Sequence, residues 1–138
     1  MGLQVDIVSA EGAVFSGEAQ IAFLPGEVGE LAVYPSHAPT LTNLKPGEVR
    51  IQNEGEEEQS FFVSGGILEI QPDHVSVLAD TALRARDIDE AEAEKARQRA
   101  EQAMEQASED MDYARAQSEL MEALARLQVI RKLRDYRG

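Results

Sequence analysis

The chain has 138 residues, 13 Lys and Arg against 26 Asp and Glu for a net charge of -13, 43% hydrophobic residues and no cysteine. The length suits one domain and is too short for two large ones, and without cysteine there can be no disulfide framework, thiolate metal site or cysteine nucleophile. So acidic a surface repels polyphosphate, which excludes broad-face binding to nucleic acid or an anionic bilayer.

Residues 1–85 read as strand and turn. Leu3, Val5 and Ile7 alternate, as do Ile21 and Phe23, Val49 and Ile51, and Val75, Val77 and Ala79. Turn signals stand between them at Pro25-Gly26, Pro35-Ser36, Pro46-Gly47, Gly65-Gly66 and Pro72-Asp73, a spacing that suits a small antiparallel sandwich or barrel. Gly65-Gly66, inside the apolar stretch from Phe61 to Ile70, marks a bulge or a close backbone approach. Glu54 to Glu58 around Gly55 reads as a solvated hairpin tip.

Near Arg86 the composition changes to Ala, Glu, Arg and Gln, and residues 86–138 read as a helical pair. Asp87 followed by Glu90 has the spacing of a capping box. Ala93, Ala96, Ala100, Ala103 and Ala107 then form a methyl seam at helical spacing. Ser108 to Asp112 breaks the pattern, and Tyr113, Ala116, Leu120, Ala123, Leu127 and Ile130 make a second stripe, with Leu124 and Leu133 beside it. Two such helices joined by a short turn fold back antiparallel. The fold class expected is therefore α+β, an N-terminal antiparallel β-sandwich followed by a C-terminal antiparallel two-helix hairpin. An alanine seam buries little apolar area, so the hairpin should open at modest cost.

Charge is unevenly placed. Residues 1–86 carry a net -9 and residues 87–125 a net -8, whereas residues 126–138 carry +4 through Arg126, Arg131, Lys132, Arg134 and Arg137. Bases at a helix C-terminus complement the helix dipole, and they also suit an acidic partner.

The chemistry of catalysis is missing. There is no phosphate-binding loop of the G-x-x-x-x-G-K-[ST] type, and the two histidines, His37 and His74, stand in turn sequences where a hydrogen-bonding role outweighs a catalytic or metal-binding one. No cofactor is expected, and a binding or structural role is favoured. No run of about 18 apolar residues or signal-type start occurs, so membrane association is expected only through a partner. A free-standing adapter, in which a sandwich presents a helical hairpin to some partner, fits these features.

Three stretches carry a more specific likeness: Gly29-Glu30-Leu31-Ala32-Val33-Tyr34-Pro35-Ser36-His37-Ala38-Pro39 leading to Leu44-Lys45-Pro46-Gly47; Ser64-Gly65-Gly66-Ile67-Leu68-Glu69-Ile70; and Val75-Ser76-Val77-Leu78-Ala79-Asp80. In this order, before an Ala-rich helical pair, they resemble the epsilon subunit of bacterial F-type ATP synthase. The resemblance covers essentially the whole chain. It implies a non-catalytic central-stalk subunit bound to the gamma subunit and resting on the ring of c subunits, helping to couple proton translocation to ATP synthesis. It implies a sandwich (1–85) that attaches to the stalk, and a mobile helical domain (86–138) that extends to the catalytic alpha and beta subunits and blocks ATP hydrolysis. The implied location is the bacterial inner membrane, peripheral on the cytoplasmic side. By the same resemblance Glu30 and His37 are expected to meet the c ring, and the bases from Arg126 to Arg137 to meet the catalytic subunits.

Some members of that family bind ATP in the folded hairpin through an Ile/Leu-Asp-x-x-Arg-Ala motif and arginines of the second helix. Ile88, Asp89 and Ala93 match, as do Arg115 and Arg126, but Glu92 and Glu122 stand where such members carry positive charge. Carboxylates there repel a triphosphate, so tight ATP binding is not expected.

Overall fold

A computed structural model describes residues 2–137, with side chains through Asp135. The chain divides between Arg84 and Ala85 into two compact units.

The first unit is built of ten strands: β1 (Leu3–Ser9), β2 (Gly12–Ala19), β3 (Ile21–Gly26), β4 (Gly29–Val33), β5 (Thr40–Leu44), β6 (Gly47–Gln52), β7 (Gln59–Val63), β8 (Gly66–Gln71), β9 (His74–Ala79) and β10 (Ala82–Arg84). Their order is β10-β7-β6-β3-β5-β8-β9-β1-β2, with β4 paired to β3. The pairings are antiparallel except β1 with β9, which run parallel with Val5 beside Val75. The two ends of the order meet. Arg84 donates from Nη2 to the Val14 carbonyl at 3.3 Å, and Phe15 packs on Phe61 with ring centroids 5.3 Å apart.

Alternation fills the interior. Leu3, Val5 and Ile7 are buried together with Val49, Ile51, Phe61, Leu68, Ile70, Val75 and Val77, each large side chain contributing about 1.5–3 kcal/mol. In β3 the phase differs from the sequence expectation. Ala22 and Leu24 are buried, whereas Ile21 and Phe23 are half-buried on the other face. The double glycine is a close backbone approach: Gly66 has φ +143°, and a Cβ there would lie 2.0 Å from the Leu78 carbonyl oxygen.

The second unit opens with a 3-10 turn over Ala85–Asp87, then α1 (Glu90–Gln106) and α2 (Asp110–Arg137), which pack on each other. Asp89, not Asp87, caps α1, its carboxylate accepting from the Glu92 amide at 3.1 Å. Asp87 is taken up by the 3-10 turn, and Asp89 has the same three-residue spacing to an acid. α2 begins two residues before the predicted break ends, with Asp110 and Asp112 in its first turn, where acids suit the dipole. The helices are about 25 and 42 Å long.

The seam is mostly alanine. Ala93 and Ala100 of α1 and Ala116, Ala123 and Leu127 of α2 are buried. Three of the expected apolar residues face outward, Ala103, Tyr113 and Leu124, whereas Val129, outside the expected stripe, is buried, and the partly covered residue near the end of α1 is Met104.

Candidate functional site

Three regions gather the residues that can meet other molecules. The first is the outward face of the sheet. Directly paired residues share a face, so the register places Asn43, Ile67, Leu78 and Val8 in one row across β5, β8, β9 and β1, with Leu41 in the next row beside Glu69. Leu41, Ile67 and Leu78 are exposed at 72%, 47% and 52%. The β3–β4 hairpin continues this edge, because the Glu27 amide donates to the Asn43 carbonyl at 3.0 Å and the next residue, Val28, is 96% exposed. Farther along the same face the character turns polar. His74 Nε2 lies 2.8 Å from Asp6 Oδ2, and Ser16 Oγ donates to Asp6 Oδ1 at 2.6 Å. The Ser16 hydrogen bond is the main cause holding the Asp6 carboxyl below its ordinary value, with Gln4 and His74 adding to it against partial desolvation.

The second region surrounds Glu30, which stands opposite Pro25 near the turn of the β3–β4 hairpin. Arg50 of β6 holds it at 3.1 Å, while also reaching Glu58 at 3.5 Å and Glu48 at 3.8 Å. The same guanidinium lies 4.1 Å from the centroid of Phe23. His37 lies beyond the other end of β4, so most of that strand's length, about 3.3 Å per residue, separates the two predicted contact residues. Its loop is pinned by the Ser36 amide, which donates to the Pro72 carbonyl at 2.7 Å, with Ser36 at φ 72°. His37 Nδ1 is 2.7 Å from the Ala38 carbonyl oxygen.

The third region is the hairpin. Arg131 donates from Nε to Glu90 at 2.9 Å and from Nη2 to Glu94 at 3.0 Å, and Arg134 donates to Glu90 at 2.8 Å. Arg126 pairs with Glu122 on its own helix at 3.0 Å. Lys132 is exposed, and the side chain of Arg137 lies outside the described residues. Hydrogen bonds hold the two carboxyls below their ordinary range, chiefly from Arg131 at Glu90 and from Arg97 at Glu94, and the Arg131 guanidinium is raised by Glu90.

Between the helices runs a groove of about 310 Å³ lined by Ala96, Arg99, Glu119, Glu122, Ala123 and Arg126. Of the residues expected for nucleotide, only Arg126 lines it. Asp89 is engaged as the N-cap of α1, and exposed Arg115 lies eleven residues from Arg126 on α2, about 16 Å along the axis. Two carboxylates face the two guanidinium groups of the groove, which lowers its attraction for a polyanion. Among the described residues no group of three or more His, Asp or Glu is arranged to hold a metal ion, and no helix is long and apolar enough to cross a membrane.

Sequence reasoning missed Arg50 and the acids that face Arg131 and Arg134. The spacing of Glu90 to Glu94 and of Arg131 to Arg134 puts each pair on one helical face, a signal that antiparallel packing turns into contact.

Comparison with known proteins covers both units of the chain. Residues 2–85 match the family described as ATP synthase, Delta/Epsilon chain, beta-sandwich domain, and residues 86–131 match its long alpha-helix domain. The chain is 54% identical over 138 residues to an ATP synthase epsilon chain of Nitrosococcus oceani, covering 100% of this chain and 99% of that one. It is 56% identical over 135 residues to one of Hydrogenovibrio crunogenus, covering 98% and 93%. Among solved structures, a chain of the Euglena gracilis mitochondrial ATP synthase (OSCP/F1/c-ring) shares the fold with a TM-score of 0.79 at 17% identity, covering 90% of this chain and 78% of that one.

Proposed function

The chain belongs to the ATP synthase delta/epsilon chain family, and from that premise we propose that its sandwich attaches to the gamma subunit and the c ring while its helical hairpin restrains ATP hydrolysis. The subunit is non-catalytic. It rides on the central stalk, helps couple proton flow to synthesis, and meets the bacterial inner membrane peripherally, on the cytoplasmic side, through the complex.

The observation that carries this is the outward row of Val8, Leu78 and Ile67 with Leu41 and Val28 nearby. Exposed apolar side chains grouped on one face of an otherwise acidic sheet suit a protein partner rather than solvent. Gamma is the partner proposed for that row, and the β3–β4 hairpin with Glu30, together with the His37 loop, is proposed for the c ring. In the hairpin, Arg126, Arg131, Lys132, Arg134 and Arg137 are proposed to meet carboxylates of the alpha and beta subunits. The alanine seam favours release of the helices, because it forfeits the larger burial of leucine.

Truncation after Arg86 tests the division of labour. The shortened chain, whose core residues from Leu3 to Ala82 need no helix in sequence, should still join the complex, and hydrolysis by that complex should rise. Failure to join would show that the sandwich is not the anchor. Co-purification of the full chain with gamma and the catalytic subunits separates a motor subunit from a free-standing adapter.

A further inference from the structure

Two of the guanidinium groups that are proposed to reach the catalytic subunits, those of Arg131 and Arg134, are already engaged across the hairpin. Arg131 and Arg134 lie one turn apart near the end of α2, Glu90 and Glu94 one turn apart near the start of α1, and antiparallel packing sets the two pairs face to face. Arg131 bridges both acids, and Glu90 accepts from both arginines with its two oxygens. Arg97 supports the arrangement by pairing with Glu94 and with Glu101. Glu90 also lies at the positive end of α1, and the arginines at the negative end of α2, so the helix dipoles favour both charges where they stand.

From this we infer that the first turns of α1 are an internal substitute for an acidic partner surface: Glu90 and Glu94 occupy Arg131 and Arg134 in the folded hairpin, and an external carboxylate surface must compete with them. The competition rests on the inhibitory role proposed above; the clamp itself does not. An arginine fork satisfied by two carboxylates inside the hairpin cannot at once satisfy carboxylates elsewhere. Acids and bases of one clamp therefore have opposite effects on inhibition. Neutralising the acids loosens the hairpin and frees the arginines. Neutralising the bases loosens the hairpin but removes what the partner would grasp.

The test uses the full chain. With no native cysteine, Gln98→Cys and Gln128→Cys, both at exposed positions, accept spin labels on the two helices. Glu90→Gln with Glu94→Gln should raise the population with widely separated labels roughly two- to tenfold, as should Arg131→Gln with Arg134→Gln. Glu105→Gln with Glu109→Gln, which neutralises two acids away from the clamp, should not. Equal label separations in the Glu90/Glu94 variant and this control overturn the clamp. In the reconstituted complex, hydrolysis should fall two- to tenfold with the acid variant and rise with the base variant. If the acid variant opens the isolated hairpin yet leaves hydrolysis unchanged or higher, while truncation after Arg86 raises it, the competition is overturned and the inhibitory role stands. If truncation itself leaves hydrolysis unchanged, the inhibitory role fails and the competition with it, and the labels still decide the clamp.

Discussion

The Arg50 guanidinium stands 3.1 Å from the Glu30 carboxylate and 4.1 Å from the Phe23 ring, tying β6 to the β3–β4 hairpin through one side chain. Arg50→Ala removes the ring contact and leaves Glu30, Glu48 and Glu58 without this cation between them. It should lower unfolding stability by about 1–3 kcal/mol in urea titrations. Arg50→Lys should recover only part, because an ammonium cannot reproduce the planar fork. Equal stability of the alanine variant and the parent would show the cluster to be ornamental.

Gly66 and Gly12 both have positive φ, at +143° and +128°, but only Gly66 has a neighbour in the way. Gly12→Ala should cost about 1–3 kcal/mol from strain alone. Gly66→Ala adds a collision with the Leu78 carbonyl and should cost about 4 kcal/mol or more. Thermal melts of the two variants side by side separate strain from overlap, and Gly66→Ala milder than Gly12→Ala would refute the close approach.

Acid should loosen the β1–β2–β9 face through Asp6. Its folded pKa lies below 3.8, so its stabilising effect is full above that ordinary value and is lost as pH falls through the lower folded value. Ser16→Ala removes the principal cause and should move the Asp6 titration, followed by NMR, back up toward 3.8. An unmoved titration would mean that Gln4 and His74 hold the carboxylate by themselves.

Glu90 and Glu94 follow the same sign. Both lie below the ordinary 4.5 when folded, so the hairpin should hold at neutral pH and loosen as pH falls through their lowered values. Helix-to-helix label separation measured across an acid titration checks this, and a hairpin indifferent to pH would remove these acids from its stability.

Calorimetry of the isolated chain should show no ATP binding at micromolar concentrations, with or without magnesium. Glu119 and Glu122 line the groove with Arg99 and Arg126, so an incoming triphosphate meets as many carboxylates as guanidinium groups. Micromolar affinity would mean that Arg99 and Arg126 outweigh them.

The parts of the fold legible in the sequence were those where one periodicity stood alone. β1 and β9 alternate cleanly, and their Leu3, Val5, Ile7, Val75 and Val77 are all core. β3 defeats the same reasoning because Ile21-Ala22-Phe23-Leu24 is apolar in both phases, and its phase shows only in the register with β6, which sets Ala22 beside buried Ile51 and Phe23 beside Arg50. The parallel pairing of β1 with β9 depends on contacts seventy residues apart, which no local pattern encodes. In the candidate regions the residue types were visible and their partners were not: the basic end of α2 is plain in the sequence, but the carboxylates across from it become neighbours only once the chain turns at residues 107–109.

Ala93 and Ala100 are seven residues apart, as are Ala116 and Ala123. Alanine loses no rotamer freedom on packing, so these methyls close on one another without ordering their side chains. Such a seam fixes how closely the helices approach without fixing their alignment. Alignment then falls to the three-residue connection at residues 107–109 at one end and to the contacts of Arg131 and Arg134 with Glu90 and Glu94 at the other. Beyond resisting separation, these charges pin the helix ends farthest from the turn, so a hairpin that opens can close again in the same place.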